Sequence, residues 1–227
     1  MLFQSLEGRR LFALAVIETY PGFFEIHGDN NANAIHVAVS MGGESFTLDG
    51  VTYNGVSYVS IFGYGGNDTI HVAGDGFGYI GAGISAGDGD DDVSLNFDGA
   101  IWAGPGGDTL RLRDSFRGEV YGEGGDDRMY VSGETVDAEI NGGNGNDLID
   151  ASGNNYGLVI RGGHGDDTIY GSEFNDQIYG EGGSDYLFGN GGNDTLYGGW
   201  VVSGGEGTDI YYGTAPHIVG VEHVFYG

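Results

Sequence analysis

Residues 162–197 read GGHGDDTIY, GSEFNDQIY, GEGGSDYLF and GNGGNDTLY, four units of nine residues that follow one another without a gap. A fifth unit, GGEGTDIYY, occupies residues 204–212 after a short spacer. Earlier in the chain the same unit recurs at residues 63–71, 86–94, 103–111, 122–130 and 142–150, and a worn copy at 28–36 has Asn33 where the others have aspartate. A unit repeated at a fixed length is typical of a solenoid or a related repeat fold.

Each unit combines six residues rich in glycine with three residues of strand character. Glycine adopts positive φ without a steric penalty, so the first six residues predict a tight turn. Successive strand side chains alternate between two faces, so the middle residue of the last three points into the protein. Nine units have an aliphatic residue or methionine there, namely Ile70, Val93, Leu110, Met129, Ile149, Ile169, Ile178, Leu187 and Leu196. Tyr211 interrupts this row and predicts that the array frays at its end.

Two units make one coil of a parallel β-roll, an all-β solenoid of stacked two-strand coils whose two sheets enclose a dry core. Turns on one edge of such a roll recur about every 18 residues. The turns starting at 63, 86, 103, 122, 142, 162, 180 and 198 therefore form one edge, here called the long edge, and those starting at 171, 189 and 204 form the short edge. Upstream of about residue 160 the short edge contains only degenerate turns, at 114–118, 133–135 and 153–155.

Aspartate occupies the sixth position of all ten units, at Asp68, Asp91, Asp108, Asp127, Asp147, Asp167, Asp176, Asp185, Asp194 and Asp209. Carboxylates spaced regularly among turn carbonyls are the oxygen ligands that a hard cation such as Ca²⁺ prefers. The unit resembles the RTX nonapeptide G-G-x-G-x-D-x-U-x of secreted bacterial proteins, in which U is apolar. The resemblance covers roughly residues 63–212.

This resemblance implies where the metal binds and what it does. Each Ca²⁺ would lie between two turns stacked on the same edge, held by sixth-position carboxylates and turn carbonyls, which gives about six to eight ions. Folding would require calcium, because the sites do not exist in the unfolded chain. The resemblance thus implies a non-enzymatic calcium-binding module that is secreted, extracellular or at the cell surface, with a structural, secretion or adhesion role. Cell-surface polysaccharide and other surface proteins are its expected partners.

The charge of the chain agrees with a cation partner. The 34 acidic residues against 7 basic ones give a formal net charge of −27, which destabilises a compact fold unless cations neutralise it. Nucleic acid is excluded as a partner because phosphate binding needs a basic surface. The chain has no cysteine, which rules out disulfides and thiolate metal sites.

Other segments flank the repeats. Residues 1–20 are predicted to be an export-type segment or a cap, and Ser5–Ala13 (SLEGRRLFA) resembles the LEPR-XLL motif of large surface and secreted bacterial proteins, with Gly8 in place of proline. The apolar run Leu11–Ile17 is too short to span a bilayer. Residues 21–62 are predicted to be an N-terminal cap with degenerate coils, residues 63–213 the calcium roll, and residues 214–227 a C-terminal cap.

Two patterns suggest other functions. Gly83–Gly87 reads G-x-S-x-G, like a nucleophile elbow, but it leads into a repeat turn and not into a helix. Aromatic residues at the ninth position predict two outward ladders, Tyr170 with Phe188 and Tyr179 with Tyr197 and Tyr212. Such ladders stiffen short strands or stack against sugars. The alternative function is therefore a carbohydrate-binding module or an epimerase-like or lyase-like solenoid, whose basic candidates are Arg111, Arg113, Arg128 and Arg161.

Overall fold

A computed structural model of the protein describes residues 14–40, 45–74, 81–114, 116–135 and 138–226, and every regular element in these ranges is a β-strand. The LEPR-XLL-like segment Ser5–Ala13 lies outside them. In chain order the strands are β1 (Ala15–Tyr20), β2 (Phe23–His27), β3 (Ala34–Ser40), β4 (Ser45–Leu48), β5 (Val51–Asn54), β6 (Tyr58–Gly65), β7 (Thr69–Gly74), β8 (Gly81–Asp88), β9 (Asp92–Leu95), β10 (Gly99–Pro105), β11 (Thr109–Leu112), β12 (Gly118–Gly124), β13 (Arg128–Gly133), β14 (Glu139–Asn144), β15 (Leu148–Asn154), β16 (Val159–His164), β17 (Thr168–Tyr170), β18 (Gln177–Gly182), β19 (Tyr186–Gly191), β20 (Thr195–Tyr197), β21 (Val201–Glu206), β22 (Ile210–Tyr212), β23 (His217–Val219) and β24 (His223–Phe225).

The strands form two sheets that face each other across the core. Sheet I has the order β1-β2-β6-β8-β10-β12-β14-β16-β18-β20-β22-β24, and sheet II has the order β23-β21-β19-β17-β15-β13-β11-β9-β7-β3-β4-β5. From β6 onward, consecutive strands alternate between the sheets, and neighbours within each sheet are parallel. Antiparallel pairing in the described residues is confined to β1–β2 and to β3-β4-β5. The predicted all-β parallel roll is confirmed.

The inward residues of the repeats form an in-register column on each sheet, and sheet II has a second buried column upstream, made of Val72, Leu95, Leu112 and Val131. All nine predicted inward aliphatic and methionine side chains are completely buried. Tyr211 is also completely buried and continues the column of sheet I, where it pairs with Leu196 and Val224. Its hydroxyl accepts a hydrogen bond from the Ala215 N–H at 2.8 Å. The prediction of a frayed end at Tyr211 is therefore wrong, because the missing side chain of Gly213 leaves room for the hydroxyl, 2.3 Å from where a Cβ would stand.

The repeat turns stack on the two predicted edges, and their spacing along the chain does not disturb the stack. Asp68 and Asp91 are 23 residues apart and Asp91 and Asp108 are 17 apart, yet both pairs are joined by a 2.7 Å hydrogen bond from a backbone N–H to a carboxylate. Pro105 is compatible with the stack because its contribution is a carbonyl oxygen, which accepts a hydrogen bond from the Gly89 N–H at 2.9 Å. Differences in repeat length are thus absorbed between the turns and not within them.

The degenerate turns of the short edge stack through asparagine side chains. The amide of Asn96 accepts from the Gly74 N–H at 2.8 Å and donates to the Gly74 carbonyl at 2.9 Å. Asn154 makes the same pair of hydrogen bonds with Thr135, both at 3.0 Å. One neutral amide therefore satisfies a donor and an acceptor of the neighbouring turn. Asn96 also donates to the exposed carboxylate of Asp114 at 3.3 Å, so these turns are joined without a buried carboxylate.

Close approach between stacked turns makes the fourth turn position glycine in every unit except 171–179, which has Phe174 there. Gly125 has φ +126°, and a Cβ there would lie 1.7 Å from the carbonyl oxygen of Gly106 in the preceding turn. At the adjacent third position, a Cβ on Gly124 would meet nothing within 4 Å. A side chain at Gly125 would therefore cause both backbone strain and a collision with the preceding turn, whereas a side chain at Gly124 would cause neither.

We expect Gly125→Ala to separate two turns and to lower the free energy of unfolding by more than about 1 kcal/mol, whereas Gly124→Ala stays within about 0.5 kcal/mol of the wild type. Urea unfolding in the presence of calcium measures both. Equal effects of the two substitutions would contradict the close stacking of the turns.

Candidate metal sites

The sixth-position aspartates of the long edge form one continuous ladder. The backbone N–H of each aspartate donates to Oδ1 of the aspartate in the next turn, at 2.7 to 3.1 Å, along the series Asp68, Asp91, Asp108, Asp127, Asp147, Asp167 and Asp185. Asn33, from the worn unit, begins the ladder by donating its N–H to Asp68 at 2.7 Å. All seven aspartates predicted for this edge are thus brought into one row.

The remaining three aspartates form the ladder of the short edge. The N–H of Leu158 donates to Asp176 Oδ1 at 2.6 Å, and the N–H groups of Asp176 and Asp194 donate to Oδ1 of Asp194 and Asp209, both at 2.8 Å. The ladder then continues to Glu222, whose Oε2 accepts from the Asp209 N–H at 2.7 Å. The two-edged arrangement predicted downstream of residue 160 is confirmed as a placement of side chains.

The second carboxylate oxygen is buried and has no hydrogen-bond partner in nine of the ten aspartates. The ten residues are at most 3 % exposed, and an Oδ2 without a partner is found at Asp68, Asp91, Asp108, Asp127, Asp147, Asp167, Asp185, Asp194 and Asp209. Asp176 differs because its Oδ2 accepts from the N–H and the hydroxyl of Ser172, at 2.6 and 3.0 Å. The turn that begins at residue 171 therefore satisfies its own carboxylate.

Unpaired carboxylate oxygens in such numbers cannot be left without a cation. An unsatisfied buried polar group costs at least about 1 kcal/mol, and a buried charge costs several times more. Nine such groups would consume the whole stability of an ordinary domain, which is about 5–15 kcal/mol. Either protons or metal ions must therefore neutralise the two rows.

The pKa values of the aspartates are raised because burial destabilises the charged form of each carboxyl group. Burial raises the pKa of Asp127 to about 8, and those of Asp108, Asp167 and Asp194 to about 7. It raises those of Asp91, Asp147 and Asp176 to about 6, and also raises the pKa of Asp68, Asp185 and Asp209. The hydrogen bond from a neighbouring backbone N–H opposes this shift in each ladder but does not cancel it.

The donor set fits a hard cation bound between turns. Among the described residues, no three side chains of His, Cys, Asp or Glu converge on one point, so each gap between turns offers two carboxylates at most. Calcium takes six to eight oxygen ligands, and backbone carbonyls are common among them. The third-position carbonyls lie in the same stack, where each accepts one N–H from the adjacent turn, as in Gly106 to Gly124 at 2.7 Å. A carbonyl oxygen has a second lone pair that remains for a metal.

A second ladder of fifth-position side chains lies outside the first and points the other way. The N–H of Asp166 donates to Asn146 Oδ1 and that of Ser184 donates to Asp166 Oδ1, both at 2.8 Å, so the donor is now the downstream turn. Asn146 donates in the same direction to Asp126 at 2.7 Å. Two ladders of opposite direction therefore join most pairs of turns and hold the buried carboxylates at a regular separation; the turns at 103 and 122 lack the second ladder because Gly107 has no side chain.

The outward aromatic ladders also form as predicted. Tyr170 and Phe188 stack on sheet II with ring centroids 4.8 Å apart, and Tyr179, Tyr197 and Tyr212 stack on sheet I at 4.4 and 5.0 Å. Phe225 extends the latter stack at 5.0 Å, and the guanidinium of Arg161 covers the face of Tyr179 at 4.4 Å. Because each inner ring has both faces covered, the inner rings present edges and not faces to solvent.

The G-x-S-x-G stretch lies within a strand. Ser85 is part of β8, where it pairs with Phe62 on one side and Trp102 on the other. A nucleophile elbow needs a sharp turn from a strand into a helix. The geometry around Ser85 is not that of a nucleophile elbow.

These features define a class of protein, the parallel β-roll whose turns carry rows of buried carboxylates. The chain contains four copies of the RTX calcium-binding nonapeptide repeat, matched by the family model at residues 59–76, 139–156, 159–178 and 170–200. The resemblance drawn from the sequence is therefore confirmed: the chain is a parallel β-roll that contains RTX calcium-binding repeats. No curated protein and no solved structure matches the chain. Nor do the described residues include a helix with the length and apolar character needed to cross a membrane.

The ladders extend beyond the four matched stretches. Asp91, Asp108, Asp127 and Asp209 lie outside those stretches but hold the same position in the two rows as the matched aspartates. Sequence reasoning found these residues from the nine-residue unit but missed Glu222, which follows Asp209 by 13 residues and belongs to no unit. The signal it missed was Gly220-Val221-Glu222 directly before an apolar strand.

The raised pKa values predict that acid stabilises the calcium-free fold. A carboxyl group whose pKa is higher in the folded than in the unfolded chain contributes stability below its unfolded pKa of about 4 and loses it as the pH rises through about 6 to 8. In buffer freed of calcium on a chelating resin, the β-sheet signal in circular dichroism should increase between pH 8 and pH 5. A decrease over this range would contradict the burial of the carboxylates.

Proposed function

We propose that the protein is a non-enzymatic β-roll module that folds on binding extracellular calcium and serves a structural, secretion or adhesion role outside the cell. The observation that carries this proposal is the pair of buried rows of carboxylates, nine of which have an oxygen without a partner. The repeats are calcium-binding repeats of a family that is typically found in secreted bacterial proteins.

The ten sixth-position aspartates would be the side-chain ligands. Six gaps between turns on the long edge and two on the short edge would take about six to eight ions, with turn carbonyls completing each site. Asp176 would be the weakest ligand because both its oxygens already accept hydrogen bonds. Eight ions would reduce the formal charge from −27 to about −11.

Binding of this kind makes calcium concentration a switch for folding. In the unfolded chain the aspartates are solvated and distant from one another, so the sites exist only in the roll and the binding free energy becomes folding free energy. Where calcium is scarce, carboxylate repulsion keeps the chain unfolded. Where calcium is abundant, the ions join the turns and the strands pair.

A non-enzymatic role agrees with the groups on the outer faces. RTX repeats are typically structural. Two of the arginines that an enzyme acting on an acidic sugar could use are engaged with carboxylates, Arg111 with Asp92 and Arg161 with Glu139 and Glu181. The latter two distances are both 3.1 Å.

Calcium removal tests the proposed function. Excess EDTA at pH 7.5 should abolish most of the β-sheet circular dichroism, and added calcium should restore it, with about six to eight ions bound per chain by equilibrium dialysis. Magnesium is the control cation, since it demands a tighter octahedral site. A spectrum that EDTA leaves unchanged would refute calcium-dependent folding.

The matched pair Asp147→Asn and Asp98→Asn tests the assignment of ligands. Both remove one charge, but Asp147 lies buried in the ladder while Asp98 is exposed. Asp147→Asn should lower the calcium-bound stability by about 3–5 kcal/mol, the usual cost of breaking a buried ionic contact, and reduce the number of bound ions. Asp98→Asn should leave both unchanged.

A cell-surface polysaccharide would bind, in this proposal, at a depression on the face of sheet I. The depression has a volume of about 380 Å³ and includes Glu139, Arg161, Asn175 and Gln177, which offer hydrogen-bond donors and acceptors beside the aromatic ladder. The covered ring faces argue against sugar stacking within the ladder itself. A glycan array probed in calcium, with Gln177→Ala as the variant that should lose binding, tests this partner. An array without hits would exclude polysaccharide and favour another surface protein.

A further inference from the structure

On each edge of the roll, the turn that follows the last sixth-position aspartate has three residues and makes the same backbone contacts. On the long edge, the N–H groups of Trp200 and Val201 donate to the Asp185 carbonyl at 2.8 and 3.0 Å. On the short edge, the N–H groups of Glu222 and His223 donate to the Asp209 carbonyl at 3.2 and 3.1 Å. The turns Gly198-Gly199-Trp200 and Gly220-Val221-Glu222 are therefore equivalent in place. They differ at the last residue, where only the short edge has a carboxylate.

Glu222 takes the position of the next sixth-position aspartate in the ladder. Its Oε2 accepts from the Asp209 N–H at 2.7 Å, close to the 2.8 Å that separates the Asp194 N–H from Asp209 Oδ1 in the gap before it. The turn at 220–222 is shorter than the six-residue turn at 204–209. The additional methylene of glutamate lets the carboxylate reach the ladder from this shorter turn.

The oxygen atoms around this last gap repeat those of the gaps inside the roll. A Cβ on Gly204 would lie 2.3 Å from Asp209 Oδ2 and 2.1 Å from the Gly220 carbonyl oxygen. A Cβ on Gly189 would lie 2.2 Å from Asp194 Oδ2 and 2.3 Å from the Gly204 carbonyl oxygen. Gly220 thus stands where the first residue of a repeat turn stands, although no nonapeptide begins there.

An independent feature points to a cation in this gap, between the buried Asp209 and the exposed Glu222. Asp209 is completely buried, and its Oδ2 has no hydrogen-bond partner. Glu222 brings a second carboxylate against the Asp209 backbone and no compensating basic side chain, since no Lys or Arg forms an ion pair with either residue in the described structure.

We propose that Asp209, Glu222 and the surrounding turn carbonyls form an additional calcium site at the end of the short edge, outside the nonapeptide repeats. The site rests on the proposed function, since it uses the same metal. Asp209 directly precedes β22 and Glu222 directly precedes β24, so this ion fastens the last strand of sheet I to the roll. The short edge then has three sites, whereas the turn after Asp185 on the long edge has Trp200 in place of a carboxylate.

The test compares Glu222→Gln with Glu206→Gln by native mass spectrometry and calorimetric titration with calcium. Both changes remove one charge, and Glu206 is exposed on the preceding turn. We expect Glu222→Gln to bind one ion fewer than the wild type and Glu206→Gln to bind the same number. An unchanged ion count in Glu222→Gln overturns the inference.

A gain-of-site variant separates loss of the ion from simple fraying of β24. Trp200→Glu places a carboxylate on the equivalent turn of the long edge and should add one ion, and an unchanged count there would overturn the equivalence of the two turns. If the wild type binds no calcium, the proposed function itself fails. If it binds calcium and only the Glu222→Gln count stays unchanged, the terminal site alone is refuted.

Discussion

A backbone N–H that donates to the carboxylate of the next turn is the contact on which this structure depends. It sets the aspartates in rows, one per turn, and it leaves the second oxygen of nearly every carboxylate buried without a partner. The same contact that aligns the turns therefore creates a charge that the turns alone cannot compensate. Cation binding follows from the alignment itself, and the strongly acidic composition follows from the need for one such residue per turn.

The narrow stack also explains which other residues the repeat requires. Neighbouring turns approach so closely that nine of the ten fourth positions are glycine, with Phe174 the exception, whereas the second position accepts Tyr64, Glu123, Glu181 and Asn190 in a left-handed conformation. The core takes one apolar side chain from each downstream strand and two from upstream strands such as β7. Each coil contacts mainly its immediate neighbours, as in other solenoids. Insertions between turns are therefore tolerated, but a side chain at a closely stacked glycine such as Gly125 is not.

Most of the fold and much of the site could be predicted from the nine-residue period. The period alone assigned the inward column, the two edges and the ten aspartates, because a solenoid repeats its local geometry along the chain. It failed where single side chains depart from the repeat. Tyr211 stays in the core because Gly213 makes room for its hydroxyl, Asp176 is satisfied by Ser172, and Glu222 reaches the ladder from a shorter turn. Each of these contacts depends on how side chains pack in three dimensions, which the spacing of the repeats does not predict.

The asparagine pairs at Asn96 and Asn154 give the upstream half two unlike sides. Its long edge is lined by buried carboxylates, whereas these two neutral amides join turns of its short edge by hydrogen bonds that need no ion. Repulsion between buried carboxylates in the absence of ions therefore acts on the long edge of this half and on both edges downstream. Loss of ions thus weakens the two halves unequally, because only the upstream half has an edge whose hydrogen bonds do not depend on a buried charge.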